Sequence, residues 1–75
     1  MRSETERELL QRIGGHIRLH RLRREQTIAQ LAKAVAVDAA YLGELERGRE
    51  NVSVTTLEAI ARELQVALAD LVKPL

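Results

Sequence analysis

The chain contains no cysteine, which excludes a disulfide framework and a thiolate metal site. Phenylalanine and tryptophan are absent as well, and Tyr41 is the only aromatic residue. No uninterrupted apolar run approaches the ~18 residues of a membrane span. The glutamate-rich start SETERE is wrong for a signal peptide, so a cytoplasmic protein without a membrane partner is expected. Neither sign of charge is in excess, because 12 Lys and Arg against 11 Asp and Glu leave a net charge of +1. No nucleophile, base and orienting group gather at a usable spacing, so no enzymatic activity is expected. With 75 residues the chain forms one small domain whose core is helix packing alone. Below roughly 70 to 80 residues such a core is marginal and oligomerisation is a common remedy, so a homodimer is expected.

What the sequence does contain is helical periodicity from end to end. Leu10, Ile13 and Ile17 recur at three and four residues and predict a first helical region from Glu4 to about Arg24. Gly14 and Gly15 interrupt that pattern, each at about 1 kcal/mol in a helix interior. Either the backbone approaches a neighbour closely there, or a separate N-terminal turn precedes the main helix. The domain boundaries follow the same division, with an N-terminal helical extension over 1–12 and the main domain over 13–75. Thr27, with Gln30 three residues on, is a capping-box start for a second helix whose buried stripe is Ile28, Leu31, Ala32 and Val35. Asp38 caps a third helix, Ala39 to about Arg47, which turns Tyr41 or Leu42 and Leu45 inward and ends at Gly48. Ser53 caps a fourth, in which Leu57, Ile60, Ala61 and Leu64 repeat. A short fifth helix from Leu68 to Lys73 stops at Pro74.

The segment from Thr27 to Gly48 therefore reads as two short amphipathic helices joined by a tight turn, the layout of a helix-turn-helix at about 28–47. The arginines are unevenly spread. Arg12, Arg18, Arg21, Arg23 and Arg24 fall in a stretch without Asp or Glu, and Arg47 with Arg49 forms a second cluster. If both clusters reach one face, that face is basic although the chain is not; otherwise the arginines solvate a helix surface.

Five helices in this order, with the second and third as the tight pair, resemble the lambda-repressor and Cro-like (XRE) family of DNA-binding domains. The matching residues are Leu31 and Ala32, Val37 after the turn, Tyr41, Leu42 and Leu45, the run Leu45-Glu46-Arg47-Gly48, and Ser53 with Leu57. The resemblance spans Ile13 to Val72. Within the family, Arg47 to Ser53 is most similar to the controller proteins of restriction-modification systems; a phage or plasmid repressor, or an antitoxin, reads similarly.

The resemblance implies an all-α, five-helix regulator that binds double-stranded DNA as a homodimer on a palindromic operator. The third helix would enter the major groove and bring Ala39, Ala40, Tyr41, Gly43 and Glu44 to the DNA. Thr27 would meet a phosphate at the start of the second helix, Arg47 and Arg49 would neutralise phosphates or reach a base, and Asn51 would add a neutral hydrogen bond to the DNA backbone. Arg21 matches a position whose arginine pairs with the glutamate of the ERG run, here Glu46. The departures weaken base reading. Ala39 and Ala40 can offer only methyl groups where relatives carry polar side chains, Gly43 offers nothing, and Glu44 can only accept a hydrogen bond. Ala36 replaces the usual turn glycine, at a cost in strain if the backbone there is left-handed, and Ile28 replaces a frequent glutamine. The alternative reading is therefore a helix-turn-helix scaffold used as a protein-interaction module or antitoxin, with weak DNA binding or none.

Val66, Leu68, Leu71, Val72 and Leu75 give more apolar surface than a short terminal helix needs, and mark the expected dimer interface; Leu9 and Leu10 either add to it or cover the core. His16 and His20, one turn apart, lack a third ligand, so a solvated helix face is expected, with proximity to DNA phosphates as the other possibility. Tyr41 packs in the core or meets a phosphate. No metal, cofactor or small-molecule ligand is expected.

Overall fold

The Ser3 hydroxyl accepts a hydrogen bond from the Glu6 amide at 3.1 Å, and the first helix, α1, then runs unbroken over Glu4–Arg23. The computed structural model describes residues 3–75. The first two residues of the expected 1–12 extension thus lie outside the described residues, and the rest belongs to the opening turns of α1. Gly14 and Gly15 do not break the helix, and close approach is the explanation for Gly14. A Cβ at Gly14 would stand 2.6 Å from the Glu46 carbonyl oxygen and nearer still to that of Leu45. At Gly15 it would meet only the Leu75 side chain, at 3.2 Å.

Four more helices follow: α2 (Ile28–Ala34), α3 (Ala39–Glu46), α4 (Val54–Leu64) and α5 (Leu68–Val72). Local chemistry sets their limits. At α2 the capping box is complete, with Gln30 N donating to Thr27 Oγ1 at 3.0 Å and Thr27 N donating to Gln30 Oε1 at 2.8 Å. Ser53 accepts from Thr56 N at 3.1 Å and caps α4, without the reciprocal bond. Asp38 occupies the cap position of α3, but its side chain makes no capping hydrogen bond. Ala36 has φ +59°, and Val37 N donates to Ala32 O at 3.0 Å, so the turn after α2 is a left-handed cap built on a residue that carries a Cβ. Gly48, at φ +75°, ends α3 likewise and returns Arg49 N to Glu44 O at 3.0 Å.

One buried cluster joins all five helices: Ile13 and Ile17, Leu31 and Ala32, Leu42 and Leu45, Leu57, Ile60, Ala61 and Leu64, and Leu71. Full burial of each Leu or Ile contributes about 1.5 to 3 kcal/mol before the entropy of ordering is counted. Leu71 is 0% exposed, and Val66, Leu68 and Val72 pack half-buried against the same cluster. This corrects the expectation for the C-terminal segment. Leu71 is consumed by the core of its own chain, because a five-residue helix can cover that core only by pointing a large apolar side chain inward. Of the five residues expected at a dimer interface, Leu75 alone is largely exposed, at 77%.

The carbonyl end of α5 is fastened to α1. Arg12 Nε donates to Val72 O at 2.9 Å, and His16 Nε2 donates to Lys73 O at 2.8 Å. His16 is 4% exposed, which overturns the solvated-face expectation: its ring is a structural donor under α5. His20 is half-buried beside it, with ring centroids 6.3 Å apart. Burial chiefly, with the charge of Arg23 adding, holds the His20 imidazole below its ordinary pKa.

Candidate nucleic-acid interface

α2 and α3 are joined by Val35–Asp38 and pack on each other, and α3 also packs on α1. The inner side of α3 buries Leu42 and Leu45 in the core and Glu46 against α1. Arg21 on α1 grips Glu46 through two hydrogen bonds, Nε to Oε2 at 2.7 Å and Nη2 to Oε1 at 2.9 Å. Its third nitrogen, Nη1, donates to Gln26 O at 2.8 Å, which ties the α1–α2 connection into the same network. The hydrogen bond to Glu46 raises the Arg21 pKa against the opposing effect of burial, so the guanidinium keeps its charge. A fork-to-fork arginine–carboxylate pair fixes orientation as well as distance. Together with the contact at Gly14, it sets how far α3 stands out from the body of the domain.

On the outer side of α3, Ala39, Ala40 and Arg47 are exposed and Glu44 is partly exposed. Glu44 stands between two cations, with Oε1 3.6 Å from Arg47 Nη1 and Oε2 3.7 Å from Arg49 Nη1. These pairs are open to solvent and contribute little to stability; their effect is to reduce the positive field over the end of α3. Gly43 is buried, since Arg47 Nη1 and Ile28 Cδ1 close over it at 3.4 and 3.9 Å from where a Cβ would be. It shapes the surface without offering a group to a ligand.

Thr27 and Asn51 are exposed. Tyr41 is half-buried against the core, and its hydroxyl donates to the backbone carbonyl of Asn51. The tyrosine proton is thereby engaged in holding the α3–α4 loop, so contact with a phosphate requires that bond to break. Burial chiefly, then the Glu50 carboxylate, raises the phenol pKa and keeps it protonated.

The first arginine cluster divides between two faces. An open notch of about 450 Å³ between α1, α2 and α3 is lined by Arg18, Arg21, Ile28, Gly43, Glu46 and Arg47. Arg18 and Arg21 thus share a surface with Arg47, while Arg12 is turned to α5 and His16 lies under the end of that helix, away from the notch. The sequence reading had missed the Arg12 and His16 contacts with α5; their spacing of four residues placed them on one face, but nothing in the sequence named the carbonyls they meet. Among the described residues, no group of three or more His, Cys, Asp or Glu side chains could hold a metal ion, and no helix is long and apolar enough to cross a membrane.

The helix-turn-helix domain family matches residues 12–74. The chain belongs to this family. Its five helices and the α2–α3 pair are of the lambda-repressor and Cro-like kind. A helix-turn-helix domain is a binding fold, and the proteins of this family are not enzymes. The chain is 37% identical over 60 residues to an immunity repressor protein of Bacillus phage phi105, a match that covers 80% of this chain and 42% of the repressor. The restriction-modification controller protein C.AhdI from Aeromonas hydrophila superposes with a TM-score of 0.79 at 29% identity, over 83% of this chain and 94% of that one. SinR, a master regulator for biofilm formation solved in complex with DNA, superposes with a TM-score of 0.77 at 29% identity, over 81% of this chain and 98% of that one. The chain spans less than half the length of the curated relatives it matches.

Proposed function

We propose that this helix-turn-helix chain is a DNA-binding transcriptional regulator that acts as a homodimer on a palindromic operator in the cytoplasm. The observation that carries the reading is the braced third helix. Arg21, Glu46 and Gly14 fix the inner side of α3, and its outer side, with Arg47 and Arg49 at its end, stays accessible. The likeness to a regulator solved on DNA supports it.

In this reading α3 enters the major groove. Arg47, Arg49 and Asn51 meet phosphates, and Thr27 donates its hydroxyl proton to another, since its oxygen already accepts from Gln30 N. Ala39 and Ala40 touch thymine methyl groups, and Glu44 accepts from a cytosine amino group once it leaves Arg47 and Arg49. Gly43 lies beneath Arg47 and offers no group of its own, and Tyr41 holds the loop that carries Asn51. Dimerisation uses the outer residues of the C-terminal segment, Leu75 above all, with the edges of Val66, Leu68 and Val72. Two recognition helices about 34 Å apart then read successive major grooves. With so few base-reading groups, affinity rests on phosphates and specificity partly on DNA shape.

Titration of the purified protein onto fragments from its own upstream region, across a range of salt, tests this. Preferential binding of one palindromic fragment, with log affinity falling linearly in log salt, is the expected result. The exposed pair Ala39 and Ala40, with Glu44 drawing on both nearby arginines, favours one other reading, a scaffold or antitoxin that binds a protein partner. Absence of binding, or binding indifferent to sequence at low salt, points there.

A further inference from the structure

We propose that the notch between α1, α2 and α3 seats one phosphodiester group of the DNA backbone between Arg18 and Arg47, which extends the nucleic-acid interface onto the first helix. The proposal rests on the DNA-binding reading above and adds a site and a residue, Arg18, that the helix-turn-helix itself does not contain.

The notch holds three arginines against one glutamate. Arg21 and Glu46 neutralise each other through two hydrogen bonds and form part of the wall, with side chains 9% and 4% exposed. Neither has charge to spare. Arg18 is exposed, and among the described residues no acidic side chain forms an ion pair with it. Arg47 has only the long contact to Glu44, at 3.6 Å. The notch is therefore cationic in its unspent charge, from two guanidinium groups carried on different helices.

Gly43 forms part of the notch floor, with Arg47 close above it. The Arg47 guanidinium lies across the bare backbone of Gly43, 3.4 Å from the place of a Cβ. The Ile28 side chain supplies an apolar wall without a donor, so among the lining side chains the arginines are the groups that can hold an anion. A guanidinium fork matches the oxygens of a phosphate, and two forks can divide the oxygens of one group. Gly43 lies in α3 and Arg47 is its C-cap residue, so a phosphate in the notch is part of the duplex whose groove α3 occupies. That continuity selects a backbone phosphodiester over a free anion.

The test compares the wild-type chain with Arg18→Gln and Arg18→Lys on the palindromic fragment and on a scrambled duplex of the same length. Thermal melts check that the variants remain folded. For Arg18→Gln, the slope of log affinity against log salt is expected to shrink by about 0.9 for each protomer bound, on both duplexes alike, because one phosphate contact is lost and no base contact is. Arg18→Lys is expected to restore the slope. Wild-type binding with an unchanged slope for Arg18→Gln overturns the notch assignment and leaves the regulator reading standing. Failure of the wild type to bind either duplex overturns both. Titration with inorganic phosphate separates the sources: saturation that depends on Arg18, with the DNA slope unaffected, overturns the phosphodiester in favour of a free anion.

Discussion

Arg21 and Glu46, 25 residues apart in the chain, are joined by two hydrogen bonds of 2.7 and 2.9 Å inside the domain. Neither side chain can be removed alone without stranding a charge. Arg21→Ala or Glu46→Ala is expected to cost about 3 to 5 kcal/mol, read as a shift in urea midpoint. The double replacement Arg21→Met with Glu46→Leu is expected to cost far less than the sum of the single changes. Strict additivity would show that the two charges do not depend on each other.

The adjacent glycines of α1 are expected to respond in opposite directions. Gly14→Ala drives a methyl group into the carbonyls of Leu45 and Glu46, which are backbone and cannot step aside. A loss of roughly 1 to 3 kcal/mol is expected. Gly15→Ala meets only the end of the exposed Leu75 side chain and gains helix propensity, up to about 1 kcal/mol. Chemical denaturation of the two variants side by side measures both; a destabilised Gly15→Ala would mean that Leu75 is more firmly seated than its exposure suggests.

Leu71 and Leu75 separate folding from association. Leu71→Ala opens a cavity in the core and is expected to cost about 2 to 5 kcal/mol at any protein concentration. Leu75→Asp is expected to leave the thermal melt of the monomer within about 0.5 kcal/mol, as surface changes do, and to shift sedimentation from dimer to monomer. An undisturbed dimer in Leu75→Asp removes this residue from the interface.

Ala36 holds φ +59° at the turn between α2 and α3. Ala36→Gly relieves the clash of the Cβ and is expected to stabilise the domain by about 1 kcal/mol, measured by thermal denaturation. A loss instead would mean that the glycine's greater freedom in the unfolded chain outweighs the strain removed.

Acid should weaken the fold through His20. Its imidazole is held below the ordinary 6.5 by burial, then by Arg23 and His16, with Asp70 opposing. Below that value the unfolded chain takes up the proton more readily than the folded one, so stability is highest above it and falls as the pH drops through it. Melting temperature is expected to decrease between about pH 7.5 and about pH 5.5, and His20→Gln to flatten part of that decrease. An identical profile in the variant would assign the loss to other groups.

Much of this architecture was legible in the sequence because it is local. Thr27 with Gln30, Ser53 and Gly48 act within three or four residues of themselves, and the apolar spacing of Leu57, Ile60, Ala61 and Leu64 names the buried side of α4. Close approach at Gly14 was one of two readings the sequence left open, and the roles of His16 and Leu71 were not legible, since they depend on what a distant part of the chain presents: a carbonyl beyond α5 and the whole core. A short apolar helix reads alike whether it covers its own domain or a second copy. At the candidate interface, the sequence grouped Arg18 with four other arginines but could not say which of them meets Arg47, a relation that exists only once α1 and α3 are packed.

The attachment of α5 to α1 has a kinetic consequence. Arg12 and His16 reach carbonyls 60 and 57 residues away, so the last helix is fixed by contacts that close nearly the whole chain. Five residues are far too few for a helix to persist alone in water, so α5 is helical only while it is docked. Its amides should exchange with solvent through detachment of that segment, ahead of global opening. Each detachment uncovers the site of Leu71, which makes the far end of the chain the moment-to-moment gate to the hydrophobic interior.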